Sequence, residues 1–150
     1  MDALFKKIIC YLSYLLPWFL AFILFRGDSS YYLGLRLPNF APNPILFGII
    51  WTILYFLIAY SCYHVYRDST SNYKIYLVIN YLSNQLFPFC FFTLENLFLA
   101  LVDVIIVLIS SMYLYVETKI LQEKYAKYLI PYILWNIFAF ILMFTIFVMN

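Results

Sequence analysis

The apolar residues of this chain come in runs as long as a bilayer is thick. Residues 8–25, 45–66, 75–92 and 129–149 contain no Asp, Glu, Lys or Arg, and residues 97–116 contain one, Asp103. A helix needs about 20 mostly apolar residues to cross about 30 Å of hydrocarbon. Each run therefore reads as a candidate span. The runs are continuous rather than alternating at period two, which favours helices over a membrane barrel, the other architecture that lipid tolerates. The expected fold is an all-α integral membrane protein, a five-transmembrane-helix bundle forming one domain over residues 1–150.

Composition fits that solvent. Hydrophobic residues make up 67% of the chain and charged residues 11%, against about 45–50% and about 25% in soluble domains. So few charges cannot cover a water-facing surface. The three glycines form no flexible linker, and no internal repeat is visible. Lys6 and Lys7 before the first run resemble the start of a signal peptide. That run is too long for a typical signal core and no small-residue cleavage site follows, so it reads as a retained span.

Turn residues and charges punctuate the spans. Pro17 should bend the first, because its ring removes a helix hydrogen bond. Residues 26–44 carry two glycines, three prolines and the charges Arg26, Asp28 and Arg36, and read as a long loop outside the bilayer. Pro44 and Pro131 stand where helices begin, in first turns that do not need the missing N–H. The short link 93–96 makes the third and fourth spans antiparallel neighbours, and a charged hinge, residues 117–127, leads to the fifth.

Basic residues orient the bundle. Lys6, Lys7, Arg67, Lys74, Lys119, Lys124 and Lys127 fall on one side, and Arg26 and Arg36 on the other. Basic residues concentrate on the cytoplasmic face, so the N-terminus is expected inside, with the first loop and the C-terminus outside. The net charge of +2 belongs to this pattern and gives no sign of nucleic-acid binding. The surrounding partner is membrane lipid.

Metal chemistry finds little support. Cys10, Cys62 and Cys90 lie in or beside different spans without C-x-x-C spacing, and read as buried free thiols. His64 is the lone histidine. It has no accompanying second ligand for a haem iron, so a solvated or hydrogen-bonded side chain is the expectation. No metal site is assigned.

The polar residues within spans say more. Asp103 lies about 10 Å along the fourth span at about 1.5 Å per residue. An ionised carboxylate near mid-bilayer costs about 2.5–3.5 kcal/mol on insertion scales, so it should face the bundle interior or water. Ser110 shares nearly the same face. In the third span Asn80, Asn84 and Phe87 share a face by their i, i+4, i+7 spacing. Trp51 and Tyr55 are one turn apart in the second span, as are Trp135 and Ala139 in the fifth. Aromatic walls with a few polar groups suit a flat, mostly apolar ligand. The same residues equally suit interhelical hydrogen bonding and interfacial anchoring, and spacing alone leaves both open.

A resemblance separates them. Residues 31–42, YYLGLRLPNFAP, resemble the W-Y-x-x-L-x-K-P-x-F-x-P loop of the translocator protein family, also called tryptophan-rich sensory proteins (TspO/MBR). Residues 47–55, FGIIWTILY, are similar to that family's F-G-x-V-W-T-x-L-Y. Asn84, Phe91-Phe92 and residues 99–103 continue the register. Pro131-Tyr132, Trp135, Phe138-Ala139, Leu142, Ile146 and Asn150 fall on the family's C-terminal pattern. The resemblance covers nearly the whole chain. It implies a five-helix bundle with a cavity opening toward the first loop, a receptor or sensor for porphyrins (tetrapyrroles) and similar hydrophobic small molecules, and a homodimer in a bacterial cell membrane. On matched positions the cavity would involve Tyr32, Pro42, Trp51, Tyr55, Asn84, Phe87, Asp103, Trp135 and Ala139, with Gln85 added by adjacency to Asn84.

Tyr31 and Leu37 stand where the family usually has tryptophan and lysine. Phe87 and Pro88 replace tryptophan and serine, and Phe147-Val148 replace a frequent W-R pair. These departures bear on ligand preference more than on fold. No resident cofactor is required, the porphyrin being ligand or substrate. In the alternative, enzymatic case, light- and oxygen-dependent porphyrin breakdown, Trp51 and Trp135 would be the catalytic residues, since their indoles are readily oxidised. The hard chemistry would then belong to the porphyrin. Transport of a small molecule is a third reading, against which stands the lack of paired, Gly/Pro-interrupted spans.

Overall fold

The computed structural model describes the backbone of residues 3–24 and 29–150. Phe25, the last residue of the first expected span, and Arg26 and Asp28 of the first loop lie outside the described residues. Everything described is helix, turn or short connection. The elements are α1 (Ala3–Leu15), α2 (Leu20–Leu24), α3 (Ser29–Gly34), α4 (Pro44–Val65), α5 (Ser71–Pro88), α6 (Leu97–Ala126) and α7 (Ile130–Met149).

Among the described residues, three helical stretches are long and apolar enough to cross a membrane: Pro44–Asp68, Ser71–Thr93 and Leu97–Met149. The third holds 53 residues, about 80 Å if straight at about 1.5 Å per residue. It is not straight. Gln122 leaves helical geometry at φ −152° and ψ 76°, and a 3₁₀ turn at Lys127–Leu129 precedes α7. Leu114 of α6 packs in one cluster with Leu129, while Leu101 and Val104 pack with Met143 and Ile146. The two arms are therefore antiparallel. The N-terminal stretch is broken into shorter pieces by a 3₁₀ turn at Leu16–Phe19 that contains Pro17.

Local chemistry sets the helix ends. Asn43 is extended and its Oδ1 accepts from the Ile45 N–H at 2.9 Å, with Pro44 in the first turn. Thr70 and Asn96 cap α5 and α6 in the same way, their oxygens accepting from Tyr73 and Leu99. Each cap satisfies a donor that the first turn leaves unpaired. Because Thr70 caps it, α5 starts at Ser71 inside the polar link. α6 likewise continues into the charged segment at residues 117–126, where it kinks at Gln122. Glu and Lys end an apolar run but are good helix formers. That segment is tied down by Gln122 Nε2 donating to Asp68 Oδ2 at 2.8 Å and Thr70 Oγ1 donating to Glu117 Oε2 at 3.2 Å.

The radial order of the bundle is that of a membrane protein. On α4, Ile45, Ile49, Ile53 and Phe56 are exposed, while Tyr55, Ile58, Ala59, Cys62 and Val65 are buried. Asn80, Asn84, Gln85, Asp103 and Asn136 are buried, none more than 8% exposed. Apolar side chains outside and amides inside would be costly in water and are favourable in lipid. The chain is an all-helical membrane protein.

Candidate ligand cavity

A polar seam joins α5, α6 and α7 at the centre of the bundle. The Tyr132 hydroxyl donates to Asn80 Oδ1 at 2.8 Å and accepts from Asn84 Nδ2 at 2.7 Å. Asn80 Nδ2 in turn donates to Ser110 Oγ at 2.9 Å and to the Val107 carbonyl at 3.2 Å. The i, i+4 spacing of Asn80 and Asn84 places both amides on the face of α5 that meets its neighbours. Interhelical bonds of this kind pin membrane helices in one register.

Beside this seam lies a cavity of about 460 Å³. Its walls are largely aromatic: Tyr32 from the first loop, Phe47, Trp51 and Tyr55 from α4, and Phe87, Phe91 and Phe92 from α5 and the π turn after it. Asn84 and Asn136 supply amides, and Ala139, Leu142, Met143 and Ile146 of α7 close the far side. Trp51 meets Tyr55 at 5.6 Å and the edge of Tyr132 at 6.2 Å between ring centroids. Gly48 also lines the cavity, and a Cβ there would meet nothing within 4 Å.

The first loop folds against one end of the bundle. The Tyr32 hydroxyl donates to the Pro42 carbonyl at 2.9 Å, and the Tyr31 hydroxyl to the Glu95 carbonyl at 3.0 Å. Asn150 clasps Arg36, its Oδ1 accepting from the Arg36 N–H at 2.9 Å and its Nδ2 donating to the Arg36 carbonyl at 3.1 Å. Burial pushes the Tyr31 and Tyr32 hydroxyls above their ordinary pKa, with the Glu95 charge adding at Tyr31. Both remain neutral donors at ordinary pH.

Of the residues expected at the cavity, Tyr32, Trp51, Tyr55, Asn84, Phe87 and Ala139 line it. Four do not. Pro42 contributes its carbonyl to Tyr32 instead. Gln85 points to the broken N-terminal stretch, its Oε1 accepting from the Ala21 N–H of α2 and its Nε2 donating to the Trp18 carbonyl of the 3₁₀ turn at 3.4 Å. Asp103 is buried with the Ser83 hydroxyl as its side-chain neighbour, and its Oδ2 has no partner. Trp135 stands behind the wall, edge-on to Phe47 at 5.7 Å and against Phe138 at 5.1 Å.

Asn136 was not anticipated. It lines the cavity at 1% exposure, and its Nδ2 makes no hydrogen bond. The available signal was its register, since Tyr132, Asn136, Ala139, Met143 and Ile146 recur at the spacing of one helical face. His64 stacks flat on Tyr125 at 4.2 Å and 4°. Among the described residues no group of three or more His, Cys, Asp or Glu side chains gathers. Cys10, Cys62 and Cys90 are free thiols, but only Cys62 is buried as expected; Cys10 and Cys90 are half-buried.

The whole-chain pattern matches known proteins. The model of the TspO/MBR family matches residues 9–149. A "Tryptophan-rich protein TspO" of Bacillus cereus is 35% identical over 146 residues, covering 95% of both chains. The "Uncharacterized membrane protein YtaB" of Bacillus subtilis is 37% identical over 131 residues, 85% of this chain and 84% of the relative. A "Tryptophan-rich protein TspO" of Archaeoglobus fulgidus is 31% identical over 137 residues, 87% of this chain and 86% of the relative. With a match of that extent around an aromatic cavity, the chain belongs to the TspO/MBR family.

Proposed function

We propose that this protein is a membrane receptor or sensor that binds porphyrins and similar flat, hydrophobic molecules within its helix bundle. The observation that carries this reading is the cavity of about 460 Å³ between α4, α5, α6 and α7, walled by aromatic rings and carrying the amides of Asn84 and Asn136. Pockets of about 300–1,000 Å³ with apolar walls and few polar groups are typical of small-molecule sites. A tetrapyrrole would gain stacking area from Trp51, Tyr55 and Phe87, and no resident cofactor is needed for that.

The reading includes a topology. The helices would cross the membrane five times, as α1 with α2, then α4, α5, α6 and α7, with the N-terminus in the cytoplasm and the first loop and C-terminus outside. The exposed apolar faces would meet lipid and a second copy of the chain in a homodimer. The photo-oxidative alternative asks for two indoles beside the porphyrin. Of the pair, only Trp51 lines the cavity, which favours binding over turnover.

The test is a titration of tryptophan fluorescence with protoporphyrin IX in detergent, in darkness and under light. Saturable quenching with an unchanged porphyrin spectrum is the expected result. Loss of porphyrin absorbance under light would establish the enzyme instead. Quenching that never saturates would overturn the proposed site.

A further inference from the structure

Among the described residues, Asn136 is the cavity-lining polar side chain with a buried atom left unpaired. It is 1% exposed, it belongs to the wall, and its Nδ2 has no hydrogen-bond partner. The large majority of buried polar groups in native structures do have one, and an unsatisfied one calls for an explanation. Its neighbours on the seam relieve it at most in part. Tyr132, one turn away, donates to Asn80 and accepts from Asn84, and its oxygen also lies beside the Asn136 amide. An amide nitrogen carries two hydrogens, so even a bond to the Tyr132 oxygen would leave one N–H of Asn136 for another acceptor. Apart from the Asn84 amide, the wall it belongs to is mainly aromatic rings and aliphatic side chains such as Ala139, Leu142 and Met143, which accept hydrogen bonds poorly or not at all, and Asn136 Nδ2 donates to none of them.

Resting on the binding role proposed above, we infer that Asn136 is a specificity-determining residue, whose amide donates to an uncharged carbonyl-class oxygen on the ligand. The ligand class is thereby narrowed to flat, apolar molecules bearing a carbonyl, ester or lactam oxygen at one edge. Selection works because an acceptor-free analogue of the same shape leaves the Asn136 N–H buried and unpaired. A site built to hydrogen-bond its ligand discriminates against analogues lacking the group more strongly than one built on shape alone. The carbonyl class follows from the surroundings: among the described residues the wall brings no cation to offset the desolvation of an ionised group.

Two neutral porphyrins of similar ring substitution separate the possibilities, mesoporphyrin IX dimethyl ester and etioporphyrin. The first carries ester carbonyls and the second only alkyl groups. Affinities of both are measured by fluorescence titration for the wild-type protein and for Asn136→Leu. The readout is the ratio of the two affinities, in which detergent partitioning cancels between proteins. The expected result is that the ester preference of the wild type falls by about three- to tenfold in Asn136→Leu, as for loss of one neutral hydrogen bond. Asn136→Ala, which only opens space, should lower the same ratio should leucine not fit. An unchanged ratio with intact binding of both porphyrins would overturn the role of Asn136 while leaving the binding function standing. Failure of the wild type to bind either porphyrin saturably would overturn the binding function and this inference together.

Discussion

The Tyr132 hydroxyl on α7 donates to Asn80 Oδ1 on α5 across 2.8 Å, and both residues are fully buried. This bond links the last helix to the polar seam below the cavity. Tyr132→Phe removes it and leaves Asn80 Oδ1 and Asn84 Nδ2 short of a partner. Interhelical hydrogen bonds in membranes average about 0.6 kcal/mol, and leaving a buried group unpaired costs about 1–3 kcal/mol. Thermal melting in detergent should therefore fall. An unaltered melting temperature would show that the seam does not hold α5 to α7.

Trp51 lines the cavity, Trp135 stands behind Phe47, and Trp18 stacks on Tyr55 at 5.6 Å. Contact with a bound porphyrin should fall mainly on Trp51. Trp51→Phe should abolish most of the ligand-dependent quenching, and Trp135→Phe much less of it. The opposite order would move the ligand to the outer side of α7.

How much of this could be read from the residues depends on what lipid does to the hydrophobic signal. Helix starts at Pro44 and Pro131 were legible because proline and capping chemistry are local. Which face turns inward was legible where a polar residue marks it, as Asn84 and Asp103 do, but not along apolar stretches, because an apolar side chain suits both the core and the surrounding lipid. Trp135 and Asn136 show the consequence. They are adjacent in sequence, yet neighbours on a helix point about 100° apart at about 3.6 residues per turn. The conspicuous tryptophan was expected in the cavity, and the inconspicuous asparagine is the one that lines it. The charged hinge expected at residues 117–127 holds the kink at Gln122, but helix runs into it from α6, because Glu and Lys end an apolar run without ending a helix.

Asp103 lies outside the cavity wall, beside Ser83. Asp103→Asn keeps the size of the side chain and its ability to hydrogen-bond. The fold and the porphyrin affinity should both be retained, as expected of a residue that serves helix packing. A clear loss of affinity at unchanged melting temperature would instead give the carboxyl group a direct part in orienting the ligand.

The proposed topology is open to labelling of whole cells. In a background with Cys10, Cys62 and Cys90 replaced by serine, single cysteines are placed at Asn39 and Lys119, both exposed. A membrane-impermeant maleimide should modify position 39 in intact cells and position 119 only after lysis. The reverse pattern would invert the orientation drawn from the basic residues.

Gln85 carries the sharpest separation between packing and binding. Where Pro17 breaks the first helix into a 3₁₀ turn, backbone groups lose their regular partners, and side chains of α5 replace them. The Tyr81 hydroxyl donates to the Pro17 carbonyl at 3.1 Å. One turn on, Gln85 accepts from the Ala21 N–H and donates to the Trp18 carbonyl at 3.4 Å. Unsatisfied backbone is costly in lipid, and neighbouring helices are what make a proline break tolerable there. Gln85→Leu keeps the volume and removes both bonds, at a cost of about 1–3 kcal/mol for the orphaned buried groups. The melting temperature should drop while porphyrin affinity, measured well below it, stays that of the wild type. Weakened binding with no change in melting would mean that the amide serves the ligand rather than the broken helix.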